Sequence, residues 1–248
     1  MTLDSKIYTL LEFEEQNNSE FSQTNLNVLY KAFFNNECSG NSYSYYDYCE
    51  QDESYELKDQ HRELYKKFER NLKLITNDTD YYGRYGTDNV KLCFYLKYWF
   101  YDQLIVNNFT NENIAKILKL WNERKEKKCA NCDCEFDVKN LYEIKILKNI
   151  YDYFFFLDAY KDISKISTKI SKKNYCKYVA LGSTYLSTYE KNCKSDNGSF
   201  CKEFKKYIKK YVKLDDKNYI TCDDASSNAF FNGSLFIKII TINLIYVA

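Results

Sequence analysis

The sequence predicts an all-α fold, an irregular multi-helix bundle stabilised by disulfides around a buried central helix at about 89–107. Three observations predict it. Apolar and aromatic residues recur at steps of three and four through most of the chain. Proline is absent from all 248 residues, so few helices are forced to break. Ten cysteines, an even number, are spread along the chain instead of clustering. In an exported protein that distribution reads as a disulfide framework, and in a reducing compartment as core thiols.

The predicted central helix, Asn89–Asn107, reads NVKLCFYLKYWFYDQLIVN. Val90, Leu92, Cys93, Phe94, Leu96, Trp99, Phe100, Leu104, Ile105 and Val106 leave only a narrow polar strip. Lys91, Tyr95, Tyr98 and Asp102 fall on that strip at steps of three and four. A helix that is apolar nearly all round belongs in a core.

Leu3–Glu15 is a short amphipathic helix on Leu3, Ile7, Leu10 and Leu11. A second spans about Thr24–Asn35 on Leu26, Leu29, Tyr30 and Phe33. Cys38–Glu50, rich in Ser, Asn and Tyr, is a loop that Cys38 and Cys49 could close. Glu56–Ile75 carries Leu57, Leu64, Phe68, Leu72 and Ile75 as a third helix. Thr76–Asn89, with Gly83 and Gly86, is a turn-rich linker into the central helix. Thr110 is placed to cap a helix with Ile114, Ile117, Leu118 and Trp121 on one face. That helix runs out in charged residues before CANCDC. Asp137 is placed to cap a long helix, Val138–Ile163, apolar on more than one face. Asn174–Asn192 is another helix. Asp196-Asn197-Gly198 marks a turn. Phe200–Val212 closes the domain, with Phe200, Phe204, Tyr207, Ile208 and Tyr211 inward and lysines on the other face. No strand-like alternation of useful length precedes the tail. Residues 1–222 form the helical domain. Residues 223–248 form a polar linker and a short apolar tail, Leu235–Ala248, interrupted by Lys238 and Asn243. A membrane-spanning helix needs about 20 apolar residues, so this tail is short for one. The N-terminus lacks the basic and apolar regions of a secretory signal.

Composition narrows the function. With 45% hydrophobic and 18% aromatic residues the chain can bury a substantial core. A net charge of +1, from 36 basic and 35 acidic residues, gives no field suited to nucleic acid. In the cluster Cys129, Cys132 and Cys134 there is one CxxC step, where structural zinc wants four ligands. The single histidine, His61, reads as a surface or boundary residue, and no Ser–His–Asp or Cys–His set can be built around it. Gly83 and Gly86 lack the Lys-Ser/Thr of a phosphate loop. The lysine face of Phe200–Val212 reads as solvated more readily than as a docking site for an acidic partner. The chain therefore reads as non-enzymatic, without cofactor or metal. The sequons at Asn17, Asn77, Asn108, Asn197 and Asn232 carry little weight in an Asn-rich chain.

All ten cysteines are disulfide candidates: Cys38, Cys49, Cys93, Cys129, Cys132, Cys134, Cys176, Cys193, Cys201 and Cys222. Cys176 and Cys193 lie at opposite ends of one predicted helix, ~25 Å apart at the helical rise. A disulfide needs Cα atoms within roughly 7 Å, so these two do not pair unless the helix breaks. Cys193 and Cys201 flank a turn and can. Cys93 points into the core and needs a distant partner. Further connectivity stays open.

Five stretches also carry a resemblance. CFYLKYWFYDQL (Cys93–Leu104) resembles the C-x-Y-L-x-Y-W-L-Y-D-x-L motif of the Plasmodium interspersed repeat family, whose Vir branch comprises variant antigens of malaria parasites. LYKKFERNLKLI resembles the helix that precedes that motif. KNIYDYFFFLDAYKDI resembles its L-Y-D-Y-x-x-N-Y-x-x-I segment. CKYVALGSTYLSTYEKNC followed by FCKEFKKYIKKY resembles its paired-cysteine segment, and YITC its last cysteine. The pieces occur in the family's order over about residues 20–222. The resemblance implies a helical ectodomain of an antigenically variable protein, exported into the infected red cell and in part displayed at its surface. Implied roles are immune evasion and adhesion, with an unidentified host receptor or immune protein as partner. It carries over no catalytic residues. Two features depart from it. Tyr65 stands where a family cysteine is expected, which leaves one common disulfide missing or rewired. The tail is also short for the family's C-terminal span, so both membrane association through it and a soluble form stay open. An alternative reading is an intracellular scaffold in the infected cell with reduced cysteines. For a variable antigen the expected binding surface lies in exposed, divergent loops such as Ser39–Asp52 and Thr76–Asn89.

Overall fold

A computed structural model describes residues 6–38, 49, 57–77, 82–86, 88–212 and 219–223. The apolar tail lies outside the described residues, as do the loop 39–52 except Cys49 and parts of the 76–89 linker. The described residues are all-helical, without a strand.

The helices are α1 (Leu10–Phe21), α2 (Asn25–Leu29, continuing into the π-helical turn Tyr30–Phe34), α3 (Asp59–Asn77), α4 (Asn89–Val106) and α5 (Asn111–Lys128). They are followed by α6 (Leu141–Tyr160), α7 (Ile163–Ile170), α8 (Cys176–Asn192) and α9 (Ser199–Glu203, continuing into the π-helical turn Phe204–Ile208).

The expected central helix is present as α4. Asp88 caps it, its side chain accepting from the Lys91 N–H at 2.8 Å. Every residue from Leu92 to Asp102 is buried. The strip at Tyr95, Tyr98 and Asp102 therefore faces the interior, and its polar atoms need internal partners. A second axis accompanies the first. In α6 every residue from Ile146 to Phe156 is buried. The two axes meet through Phe94 against Tyr151 (4.6 Å between ring centroids) and Phe154 (4.7 Å). The broadest helix–helix interface is α6 on α8, with α3 against α4 next among the long helices. Gly182 of α8 permits the close approach to α6. A Cβ there would lie 2.6 Å from the Tyr153 Cβ and 2.7 Å from the Asn149 carbonyl oxygen.

Several boundaries differ from the sequence expectation. Helix α1 begins at Leu10, not Leu3, because Thr9 and Glu12 form a reciprocal cap. The Thr9 N–H donates to Glu12 Oε2 at 2.8 Å and the Glu12 N–H to Thr9 Oγ1 at 3.3 Å. The long helix is capped by Asn140, whose side chain accepts from the Tyr142 N–H, and not by Asp137. It stops at Tyr160, where Lys161 takes a left-handed conformation (φ 62°). Asp162 then caps the separate α7, which buries Ile163, Ile166 and Ile170. Helix α5 matches its expectation, with Thr110 and Asn113 capping each other reciprocally and Ile114, Ile117, Leu118 and Trp121 buried.

The segment 132–138 is extended. Cys132, Cys134, Phe136 and Val138 are buried while Asp133, Glu135 and Asp137 are exposed. This is the alternation that the sequence reading did not register, and it pairs with no neighbouring strand. Side chains satisfy its backbone instead. Lys97 Nζ donates to the Glu135 carbonyl oxygen, and the Glu135 N–H donates to Tyr207 Oη at 3.0 Å.

All ten cysteines lie in five pairs: Cys38–Cys49, Cys93–Cys134, Cys129–Cys132, Cys176–Cys222 and Cys193–Cys201. Their Cα separations run from 5.1 Å for Cys193–Cys201 to 5.8 Å for Cys176–Cys222. Cys93–Cys134 ties α4 to the extended segment. Cys176–Cys222 ties α8 to residues 219–223, which also bind α7 through the Asp223 N–H to the Ser171 carbonyl at 2.9 Å. Tyr65 is buried and no cysteine is left free.

Candidate functional site

The polar groups with the most unusual surroundings are inside the bundle, because α4 and α6 carry charges on faces that are otherwise apolar. Lys148 of α6 is completely buried. Its Nζ lies 2.6 and 2.8 Å from the two Asp152 oxygens, one helical turn on, and 3.2 Å from Asp102 Oδ1 of α4. It also donates to the Tyr8 carbonyl at 3.1 Å. Three phenols complete the cluster. Tyr98 and Tyr178 donate to Asp152 at 2.9 and 2.7 Å, and Tyr30 donates to Asp102 at 2.5 Å. Two carboxylates thus share one ammonium, leaving an excess negative charge in the core. Burial works against the Lys148 ammonium, but the Asp152 and Asp102 carboxylates outweigh it and raise its pKa. Burial pushes Asp152 up to about 6 against the pull of Lys148.

A second buried pair joins Lys97 of α4 to Glu203 of α9 at 2.9 Å, with Tyr101 donating to the other Glu203 oxygen at 2.5 Å. Burial lowers the Lys97 pKa, opposed by Glu203. A third polar knot is Arg70 of α3. Its guanidinium donates to the carbonyls of Phe33, Phe34 and Asn36 at 3.1, 2.9 and 2.7 Å, satisfying the end of the π-helical turn after α2. These groups hold helices together and are closed to solvent. The expectation that Lys91, Tyr95, Tyr98 and Asp102 form the polar strip overlooked Lys97, Lys148 and Glu203. A usable signal existed: Lys148 and Asp152 stand at i and i+4 in a helix apolar on all faces, where a charge needs a partner.

On the surface, a cleft of about 400 Å³ is lined by Glu135, Asp137, Lys202, Glu203, Lys205, Lys206 and Tyr207. Much of its charge is internally engaged. Lys206 pairs with Glu135 at 3.1 Å, Lys205 donates to the Asp196 carbonyl at 2.8 Å, and Glu203 is held by Lys97. Farther along the same lysine face, Lys210 pairs with Asp88 at 2.6 Å and Lys209 with Glu190 at 3.8 Å. The face is exposed but largely neutralised by the chain's own acids.

The sequence candidates are placed as follows. Cys129, Cys132 and Cys134 are consumed by two disulfides, so their sulfurs are not available as thiolate ligands. Among the described residues no group of three His, Cys, Asp or Glu side chains is arranged to hold a metal. His61 is part-buried, its ring 4.5 Å from that of Phe109. Asn77, Asn108 and Asn197 are exposed. No described helix is long and apolar enough to cross a membrane.

A family model described as Plasmodium vivax Vir protein matches residues 24–229. The chain belongs to the Vir family. Among curated proteins and among solved structures, none matches it. The match takes in α2 to α9, all five disulfides and the two buried axes of this Vir chain. It begins after α1.

Proposed function

We propose that this Vir chain is a non-enzymatic variant antigen of malaria-infected red cells, exported to the erythrocyte and displayed at its surface or membrane. In this reading it serves immune evasion and adhesion to a host receptor or immune protein. Residues 1–222 are the ectodomain, and 223–248 are the linker and tail that can associate with the membrane. The family match over residues 24–229 carries the reading. Five paired cysteines support it, since such frameworks persist in oxidising surroundings. A bundle whose charged clusters are closed and serve packing leaves recognition to surface loops, with 39–52 and 76–89 as the contact regions. Antibody staining of intact and permeabilised infected cells tests the reading, together with non-reducing peptide mapping. Staining of intact cells and five mapped disulfides are expected. Staining only after permeabilisation, with free thiols, would replace it by the intracellular scaffold.

A further inference from the structure

Lys91 is the third residue of α4, within its first turn, and is part-buried. Its Nζ is enclosed by four aromatic rings. It lies 4.1 Å from the Phe154 centroid, 4.3 Å from Tyr211, 4.6 Å from Phe94 and 5.0 Å from Tyr95. The rings come from α4, from α6 and from the residues that follow α9. Such a box attracts a cation through the ring faces.

The amine makes no hydrogen bond or ion pair among the described residues. The acids around it are committed elsewhere. Asp88 is held by Lys210 and Tyr211, each at 2.6 Å, and Asp158 by Lys161 at 2.6 Å. An ammonium has three N–H donors to satisfy, and four aromatic faces satisfy none of them fully. Burial accordingly draws the Lys91 pKa down to about 8, with Asp158 and Asp88 opposing and Lys161 assisting.

We propose that Lys91 is a methylation site, its ε-amino group held in an aromatic cage that fits an N-methylated ammonium. Methylation replaces N–H groups that make no hydrogen bond to the described residues, so none of the chain's described hydrogen bonds is broken. It adds apolar surface toward four rings and keeps the positive charge that the rings attract. The lowered pKa leaves roughly a tenth of the amine neutral at pH 7, the form that acts as nucleophile. The methyl donor is of the sulfonium class. The nitrogen lone pair attacks the methyl carbon, and the carbon–sulfur bond breaks with its electron pair moving to sulfur. A thioether leaves, and the new ammonium loses a proton to water before any further transfer.

Two measurements test this. Peptide mapping of the full chain isolated from its natural source should find methylated Lys91; finding only unmodified Lys91 would overturn the proposal. In the full oxidised chain, formaldehyde with dimethylamine–borane installs the same methyl groups by imine formation and hydride reduction. The resulting change in thermal midpoint should be more positive for the parent than for Lys91→Arg. A cage-opening Phe154→Leu variant, which keeps Lys91, should lose that increment. Equal changes in the parent and Lys91→Arg would sink the fit between cage and methylammonium.

Discussion

Single residues decide this core where charge meets burial. Lys148 balances two carboxylates at a buried site, so Lys148→Met leaves Asp102 and Asp152 uncompensated. Breaking a buried pair this way costs about 3–5 kcal/mol, and chemical denaturation should show a lower midpoint by that measure. Asp152 gives a pH dependence of known sign. Its pKa rises from the ordinary 3.8 to about 6 in the fold. Between those values the folded state holds more protons than the unfolded state, so stability falls as pH rises through that window. Its contribution is most favourable below pH 4 and has been lost above about 6. Asp152→Asn removes this titration, so the stability gap between variant and parent should narrow from pH 4 to 7. A gap that widens with pH would contradict the assignment. Hydrophobic periodicity put Asp102 and Tyr98 on one face correctly. It could not say that the face turns inward, because periodicity records spacing and not which side the neighbours occupy.

At the scale of the element, local chemistry set most boundaries. Thr110 was readable as a cap because it immediately precedes a clear apolar stripe. The Thr9–Glu12 cap was equally present in the sequence as T-x-x-E but lay within a run already read as helix. The break at Lys161 was harder to see. Neither Gly nor Pro marks it, and a lysine in the left-handed region is unusual. There the structure turns so that Asp162 can start α7 and bury three isoleucines. Gly182 shows packing overriding propensity. Gly182→Ala should favour an isolated helix by about 1 kcal/mol. In the fold the new methyl meets Tyr153 and Asn149 within 2.7 Å. Overpacking of that kind costs about 1–3 kcal/mol. A net loss of stability is expected in thermal unfolding, and a gain would mean that α6 and α8 separate freely.

For the whole molecule, the disulfides close loops of very different length. Cys176–Cys222 and Cys93–Cys134 span 46 and 41 residues, while Cys129–Cys132 spans 3. In the chain-entropy account the long loops are each worth about 4 kcal/mol and the shortest about 1.5 kcal/mol. Paired Cys→Ala variants should therefore lose stability in that order by denaturant titration; an equal loss for all three would point to local packing as the dominant effect. The folded unit also extends past the family match. Phe13 and Phe21 of α1 are fully buried, against Phe156 at 5.1 Å and Phe155 at 4.4 Å. Removal of residues before 24 would uncover these α6 rings. The sequence by itself determined the helical class, the buried character of α4, the α5 cap and stripe, and the family, because each is written in neighbouring residues. Only the tertiary structure decided which cysteines meet, that α6 is a second axis, and that Lys97 and Lys148 are buried with Glu203 and Asp102. Those partners stand 106 and 46 positions away in the chain, and a spacing that long leaves no periodic trace. The folded bundle brings them together because a buried charge without an opposite charge would unfold it.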